Sequence, residues 1–194
     1  VNGHSLFVVG AFAIVCAVLG GGTAPPRRLL IWGGAAVAAL LINPFGLHYS
    51  EVRASNLVKV DVKGNIIGHS DWPINPAGFT FHGKIHERLP DVHCVMHVHT
   101  TPTMAVCCLE EGLSYTNFYA AQLYGKVAYH EFEGITVHAD EGERILASAG
   151  GKPVLMLRNH GPVTIGATLP QCLALMWLVP DRRIDQARRR GAVT

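Results

Sequence analysis

Residues 75–100 read NPAGFTFHGKIHERLPDVHCVMHVHT, a stretch that predicts a helix, a turn and a strand in succession. Ala77 to Arg88 has helical character, and Leu89-Pro90 ends it because proline cannot continue a helix. His93 to His99 predicts a short, partly apolar strand. A helix that leads directly into a strand is typical of a mixed α/β domain.

The sequence on both sides of this stretch extends the same pattern. Leu57 to Val62 alternates and is rich in valine, which predicts a strand, and the turn residues 63–65 predict a hairpin whose returning strand begins at Ile66. Thr100 or Thr101 can cap a helix that ends near Gly112. Further helices are predicted at 140–146, closed by Gly150-Gly151, and at 169–178, and further strands at 154–157 and 163–165. The sequence therefore predicts an α/β fold.

Length, charge and cysteine content limit the classes of protein to which this chain can belong. A chain of 194 residues suits one globular domain, and a net charge of +2 gives no general argument for binding nucleic acid. The cysteine count is odd and lacks CxxC spacing, which is typical of reduced thiols and predicts a cytoplasmic protein. The five cysteines are Cys16, Cys94, Cys107, Cys108 and Cys172.

The first forty residues differ from the rest, because Arg27 and Arg28 are the only charged residues before Glu51. Three interpretations compete for this start: a membrane anchor within residues 6–42, a signal peptide, or, third, a buried helix and strand of the soluble domain or an atypical segment on a truncated one. The apolar run from Leu6 to Leu19 has about 14 residues, short of the roughly 20 that a spanning helix needs. A signal peptide requires a positively charged segment before its apolar stretch, but no Lys or Arg precedes this run. We therefore favour the third interpretation.

The chain divides into three predicted segments. Residues 1–40 form an atypical apolar N-terminal segment, residues 41–178 form the α/β domain, and residues 179–194 form a basic C-terminal tail. The tail contains three consecutive arginines, 188–190, which are most simply explained as a solvated end.

Two histidines in the predicted strand suggest a metal site. His97 and His99 are two residues apart, so their side chains point to the same face of the strand. The pair alone does not distinguish metal ligands from two ordinary histidines. His160 follows the buried strand VLML and precedes Gly161-Pro162, which places it on a turn at a strand end. Three imidazoles would leave an open metal position, as catalytic zinc sites do, but a turn histidine bonded to backbone explains His160 equally well.

Two quoted stretches carry a resemblance to a known family. Residues 75–100, followed about sixty residues later by VLMLRNHGPVTIG at 154–166, resemble the class II aldolase/adducin family, which includes sugar-phosphate aldolases and the adducin head domain. The similarity runs from LINPFGLHYSEV, beginning at Leu41, to about Trp177. The resemblance implies a three-layer domain with a central mixed, mainly antiparallel sheet flanked by helices. It also implies a homo-oligomer, a tetramer in the aldolases.

The resemblance also assigns site residues. His97, His99 and His160 match the family's ligands for Zn²⁺ or another divalent transition metal. The predicted substrate-binding residues are Gly46, Asn75, Gly78 and His82. These matches imply a lyase that acts on a small hydroxylated, sugar-like carbonyl compound through a metal-stabilised enediolate.

The sequence also departs from the aldolases. Gly78 occupies the position of the aldolase acid/base glutamate, and Pro76 and Ala77 occupy those of the phosphate-binding serines. A phosphorylated substrate is therefore not implied, and the catalytic proton carrier is not identified. A non-catalytic adducin-like module, or a degraded enzyme that retains the fold, is the alternative. Candidate carriers are Tyr115, Tyr119, Tyr124 and Tyr129, whereas His130 and His138 are predicted to lie at the surface or at a strand edge.

Overall fold

A computed structural model describes residues 13–18, 40–42, 44–134 and 139–179. The strands are β1 (Ala13–Val18), β2 (Leu40–Ile42), β3 (Val58–Val60), β4 (Cys94–Val98), β5 (Val127–His130), β6 (Val154–Leu157) and β7 (Gly161–Gly166). The α-helices are α1 (Pro76–Arg88), α2 (Thr101–Cys107), α3 (Phe118–Ala121), α4 (Ala139–Ala149) and α5 (Leu169–Leu178), and two short 3-10 helices lie at Tyr49–Glu51 and Ala54–Asn56.

The described strands form one seven-stranded sheet in the order β3-β2-β1-β4-β7-β6-β5. Every neighbouring pair is antiparallel except β5 and β6. That pair is parallel because α4 returns the chain to the same end of the sheet between the two strands. The prediction of a mixed, mainly antiparallel sheet is confirmed.

Helices cover both faces of the sheet, so the predicted three layers are present. On one face, Phe81 and Ile85 of α1 and Ile145 of α4 pack on strand residues that include Val95 and Leu155. The opposite face is covered by α5, whose residues Cys172 and Met176 pack on Cys94, Met96 and Val98 of β4. Because β4 alternates between the two layers, His97 shares the α1 face with Val95.

Strand β1 comes from the apolar start of the chain and lies between β2 and β4. Its backbone pairs with β4 from Ala13 opposite Val98 to Ala17 opposite Cys94. These six residues are therefore part of the sheet of the domain, as the interpretation of the start as a segment of the soluble domain predicts. The rest of the N-terminal segment and the basic tail lie outside the described residues. Within the described ranges, no helix has both the length and the apolar character needed to cross a membrane.

Two local predictions differ from the structure. The returning strand expected from Ile66 is reduced to a single bridge between Val60 and Ile66, because the chain turns away after Ile67 bonds to Lys59. The helix expected to reach Gly112 ends at Cys107. The chain then continues in turns, and Gly112 adopts a left-handed φ of 71°.

Candidate metal centre

His97 and His99 lie at the end of β4, on the face that α1 covers. His97 is paired across the sheet with Val163 of β7, and His99 follows the last residue of the strand. Side chains two residues apart project from the same face, as the sequence predicts. His97 is buried, whereas His99 is partly exposed where the strand opens to the surface.

His160 comes from the tight turn that joins β6 to β7. The turn is held by backbone bonds from Arg158 N to His130 O (2.8 Å) and from Asn159 N to Cys107 O (3.1 Å). Asn159 adopts a left-handed φ of 54°, a conformation that asparagine tolerates better than most residues. The turn therefore brings His160 back over the end of β4.

Gly161 makes this approach possible. A Cβ atom at this position would lie 2.6 Å from the carbonyl oxygen of Val98 and 3.2 Å from Cε1 of His97. Only glycine allows the two backbones to come this close. The chemistry of the site thus depends on a residue that has no functional group.

The three imidazoles converge on one point. Their ring centroids are 4.5 Å apart for His97 and His99, and 4.8 Å from His160 to each of the other two. One nitrogen from each ring lies within 4.8 Å of the others. The structure therefore brings together the three residues predicted as ligands.

The hydrogen bonds of His97 suit a metal ligand. Its Nδ1 is 2.9 Å from the carbonyl oxygen of Pro162, which can only accept, so Nδ1 carries the hydrogen and Nε2 keeps its lone pair. His97 Nε2 and His99 Nε2 are 2.7 Å apart, and because His97 Nε2 has the lone pair, His99 Nε2 donates to it. The nitrogens that face each other here are the ones that would hold a metal ion.

The electrostatic surroundings keep the three rings neutral. Burial, together with His99 and His160, lowers the pKa of His97 to about 3. Burial and then His99 lower the pKa of His160 to about 4, and burial also lowers the pKa of His99. A neutral imidazole has the free lone pair that a metal needs, so protons do not compete for these ligands near neutral pH.

His82 lies next to this centre. Its ring is fully buried on α1 and packs against Phe81 with 4.4 Å between centroids, and Phe81 in turn contacts the ring of His97 edge-on at 5.5 Å. Burial, followed by the proximity of His97 and His86, lowers the pKa of His82 well below its usual range. Neither of its ring nitrogens has a hydrogen-bond partner among the described residues. Gly78, one helical turn before His82, is also buried.

The other two predicted substrate residues, Asn75 and Gly46, lie on adjoining segments before α1. Asn75 caps α1, because its side-chain oxygen accepts from Ala77 N at 3.1 Å. Gly46 is exposed with φ 98°, in a loop tied to the segment before α1 by a bond from Phe45 N to Pro73 O (2.8 Å). Among the described residues, no hydrogen bond joins Gly46 or Asn75 to the three imidazoles.

A recess beside His160 contains residues that the sequence did not single out as functional. It is shallow, with room for a group about the size of a water molecule. The residues that line it include His130, Glu133, Glu141, Ile145, Arg158 and His160. His130 lies on β5, at the edge of the described sheet as predicted, but its side chain is buried because α4 covers it. His138 lies outside the described residues. Local sequence contains no signal for this recess, because its residues come from β5, α4 and the turn after β6.

Tyr129 and Arg158 have partners that indicate a structural role. The Tyr129 hydroxyl accepts from Leu113 N at 2.9 Å, and the Arg158 guanidinium lies 4.4 Å over the Tyr129 ring. Arg158 Nη1 also donates to the carbonyl oxygen of Leu109 at 2.5 Å. Together they anchor the segment after α2 beneath the turn that bears His160.

Comparison with known proteins agrees with this architecture. The family profile described as "Class II Aldolase and Adducin N-terminal domain" matches residues 30–181. The "Putative aldolase class 2 protein" of Caulobacter vibrioides is 46% identical over 132 residues, which cover 68% of this chain and 51% of that protein. Alpha-adducin of Rattus norvegicus is 45% identical over 136 residues, 68% of this chain and 18% of that protein.

Solved structures show the same fold. An aldolase II superfamily protein from Pseudomonas syringae superposes with a TM-score of 0.75 at 33% identity, covering 93% of this chain and 68% of that one. L-fuculose 1-phosphate aldolase from Glaciozyma antarctica superposes with a TM-score of 0.71 at 23% identity, covering 94% of this chain and 66% of that one. The chain spans about half the length of the bacterial curated relatives it matches. With this profile match and this fold, the chain belongs to the class II aldolase and adducin family.

Proposed function

We propose that this chain is a metal-dependent lyase of the class II aldolase type that acts on a small hydroxylated carbonyl compound. The observation that carries the proposal is the convergence of His97, His99 and His160 as neutral imidazoles at a strand end. The hydrogen bond from His97 Nδ1 to the Pro162 carbonyl supports it, because that bond directs the lone pair of Nε2 towards the other two rings.

The proposed cofactor is Zn²⁺, or another divalent transition metal. Three nitrogen ligands with no thiolate are the donor set that zinc, cobalt and related ions accept, and three protein ligands leave a position open for substrate. When bound, such an ion supplies a Lewis acid that polarises a carbonyl or hydroxyl oxygen. The chain's own residues must then hold the substrate and move its protons.

His82, Gly78, Asn75 and Gly46 are the proposed substrate side of the site. His82 supports this assignment best, because a buried imidazole without a partner among the described residues needs a hydrogen-bonding group from water or ligand. Gly78 has no acid/base group, so we propose that His82 or a water on the metal replaces the aldolase carboxylate in proton transfer. Asn75 and Gly46 belong to adjoining segments before α1.

A non-catalytic, adducin-like module is the second candidate function. The identity of 45% with alpha-adducin favours it, as does Gly78 in place of an acid/base residue. The two candidates differ in what they require of the three histidines. An enzyme needs a bound metal, whereas a module needs only the fold.

The first test is metal content. Elemental analysis of the purified chain is compared with a His97→Ala/His99→Ala double variant and a matched His48→Ala/His69→Ala control, whose side chains are exposed and outside the site. The proposal expects about one metal ion per chain in the parent and the control, and loss in the site variant. Folded chain without metal above background would contradict it.

The second test is proton exchange. The metal-loaded chain is incubated in D₂O with small hydroxy-carbonyl compounds such as dihydroxyacetone, and loss of the C–H signal next to the carbonyl is followed by NMR. An enzyme of this type exchanges that hydrogen faster than its His97→Ala/His99→Ala variant does. A chain that holds metal but exchanges no compound would favour the adducin-like module.

We also infer a homo-oligomer in the cytoplasm. Two exposed aromatic side chains near α3 support association between copies of this chain, because Phe118 is 78% exposed and Tyr124 is 77% exposed. The cytoplasmic location has separate support, because the free thiols of Cys94, Cys107 and Cys172 fit a reducing compartment. Light scattering after gel filtration tests the oligomer: a monomer at micromolar concentration would contradict it.

A further inference from the structure

We propose that the outer face of α5, together with the arginines that follow it in the sequence, binds the surface of an anionic lipid membrane. This face, the α5 stripe, consists of Leu169, Leu173 and Trp177. The proposal goes beyond the proposed function, because α5 covers the face of the sheet opposite to that of His97 and the contact needs neither a metal nor a substrate.

The α5 stripe follows from helical spacing. Leu169, Leu173 and Trp177 are four positions apart, so their side chains lie along one side of the helix. They are 47%, 58% and 66% exposed, whereas Cys172 and Met176 of the same helix are buried against β4. A helix that covers a sheet normally has charged and polar residues on its outer side. The outer side of α5 is apolar instead, which suits it to contact with an apolar medium.

The helical layer around α5 contains few charges. Residues of α2, α3 and α5 pack in one apolar cluster, so these three helices cover the same face of the sheet. None of the three contains Asp, Glu, Lys or Arg. In the loops between α2 and β5, Glu110 and Glu111 follow α2 and Lys126 follows α3, which gives a net charge of −1. No charged residue of these helices therefore opposes contact with lipid.

The helical layer on the opposite face is different. Lys84 of α1 pairs with Glu87 of the same helix and with Glu143 of α4, and Arg88 pairs with Glu143 as well. Charged groups of this kind favour water over an apolar medium. The described domain thus has one helical layer laced with ion pairs and one layer with uncharged helices, so the two layers suit different surroundings.

The sequence next to α5 supplies positive charge. Residues 180–194 contain five arginines and two aspartates, a net charge of +3 that exceeds the −1 of the loops. Arg182 follows Leu178, the last residue of α5, by four positions. It therefore cannot lie more than about 14 Å from the end of the helix. Clusters of arginine beside an apolar face are attracted to anionic phospholipids.

The size of the α5 stripe favours lipid over a protein partner. A fully exposed large side chain presents roughly 200 Å², so the stripe exposes about 350 Å². By itself this is less than half of the roughly 800 Å² that each partner buries in a stable protein interface. A lipid surface needs no matching shape, and an apolar contact and a basic cluster act together on it. Trp177 fits the same surroundings, because tryptophan is enriched where lipid headgroups meet acyl chains.

The test is sedimentation of the whole chain with lipid vesicles. One set contains phosphatidylcholine alone, and the other contains about 30% phosphatidylserine as the anionic lipid. We expect binding to the phosphatidylserine vesicles to be at least about tenfold tighter, and high salt to remove most of that difference by screening the charges. Equal binding to the two sets, or no binding to either, would overturn the proposal.

A variant of the α5 stripe tests the apolar contact. Leu173→Gln/Trp177→Gln changes two exposed positions, and we expect it to weaken binding to phosphatidylserine vesicles by about tenfold or more. Ile66→Gln/Phe132→Gln is the matched control, because it changes two exposed apolar side chains that lie outside α5. The control should bind as the parent does. Circular dichroism establishes that each variant is folded.

A variant of the arginines tests the charge. Arg182→Gln/Arg183→Gln should weaken binding to phosphatidylserine vesicles by about tenfold or more, because each arginine near an anionic surface contributes roughly fivefold. Its binding to phosphatidylcholine alone should not change. Equal binding of the parent and this variant to phosphatidylserine vesicles would contradict the role of these arginines.

The remaining outcomes separate lipid from other partners of the α5 stripe. A stripe variant that binds vesicles as tightly as the parent would show that the arginines act alone, and would overturn the proposal. So would a parent that binds no vesicles and forms an oligomer that the stripe variant breaks into monomers in light scattering, because the stripe would then contact a second copy of the chain. Metal content is measured separately, so failure here leaves the proposed function untouched.

Discussion

Replacing Gly161 with alanine should disturb the candidate metal centre directly. The new Cβ would lie 2.6 Å from the Val98 carbonyl oxygen, whereas a carbon–oxygen contact of this kind is normally about 3.3–3.6 Å. One of the two strands must therefore move by about 0.7 Å, the difference between 3.3 and 2.6 Å. Both are inner strands of the sheet, so neither can move without disturbing its other neighbour.

The expected effect has two parts. Overpacking of this kind destabilises by about 1–3 kcal/mol, which lowers the melting temperature by roughly 2–4 °C per kcal/mol in a chain of this size. The same shift moves His97 and His160 relative to each other, and we expect zinc affinity to fall about 10–100-fold, as for the loss of a group that orients a ligand.

The measurements are thermal unfolding followed by circular dichroism, and zinc affinity by competition with a chelator. Gly166→Ala is the matched control at the other end of β7. Its Cβ would meet Gln171 Oε1 at 2.9 Å and the buried Sγ of Cys172 at 3.2 Å, so it crowds the same strand away from the imidazoles, and we expect it to leave zinc affinity unchanged. Gly161→Ala with the parent's melting temperature and zinc affinity would refute the reasoning about the close strand approach.

Three further predictions follow from the described contacts. The free energy of unfolding of the metal-free chain should decrease as pH falls from about 6.5 towards about 4, because the unfolded chain binds protons that buried His97 and half-buried His160 do not. In urea titrations, the free energy of unfolding of a His97→Asn/His160→Asn variant should change less steeply with pH than that of the parent. An equal slope against pH in both would contradict the burial argument. Leu155 lies in the core between the sheet and α4, so Leu155→Ala should lower the free energy of unfolding by about 2–5 kcal/mol in urea titrations. The control Leu173→Ala, at an exposed position, should lower it by roughly 0.5 kcal/mol or less. Asn75→Ala should cost about 1 kcal/mol through loss of the α1 cap, while Asn75→Asp should retain most of the stability; similar losses in both would argue against capping.

The two candidate functions differ in chemistry rather than in fold. Gly78 removes the aldolase acid/base group from α1, but the same helix places His82 close to His97. A chain that had lost all function would have no reason to keep three neutral imidazoles convergent at one strand end. The metal measurements therefore decide more than a comparison of folds can.

Local sequence determined the helices and strands nearest the site. The strand VLML and the helix from Leu169 to Leu178 occur with the predicted limits, and α1 begins one residue before its prediction. Their limits are set by proline, glycine and capping residues, which act on the backbone within a few positions. The spacing of His97 and His99 predicted their common face for the same reason, since strand alternation is a local rule.

Tertiary structure decided the remainder. The place of β1 between β2 and β4 depends on pairing with residues more than seventy positions away, and hydropathy alone also allowed a membrane segment. The recess joins β5, α4 and the turn after β6, so no local pattern could reveal His130 and Glu141 as neighbours of His160. Periodicity and turn chemistry act over a few residues, whereas a site depends on which strands lie side by side, and packing of the whole sheet determines that order.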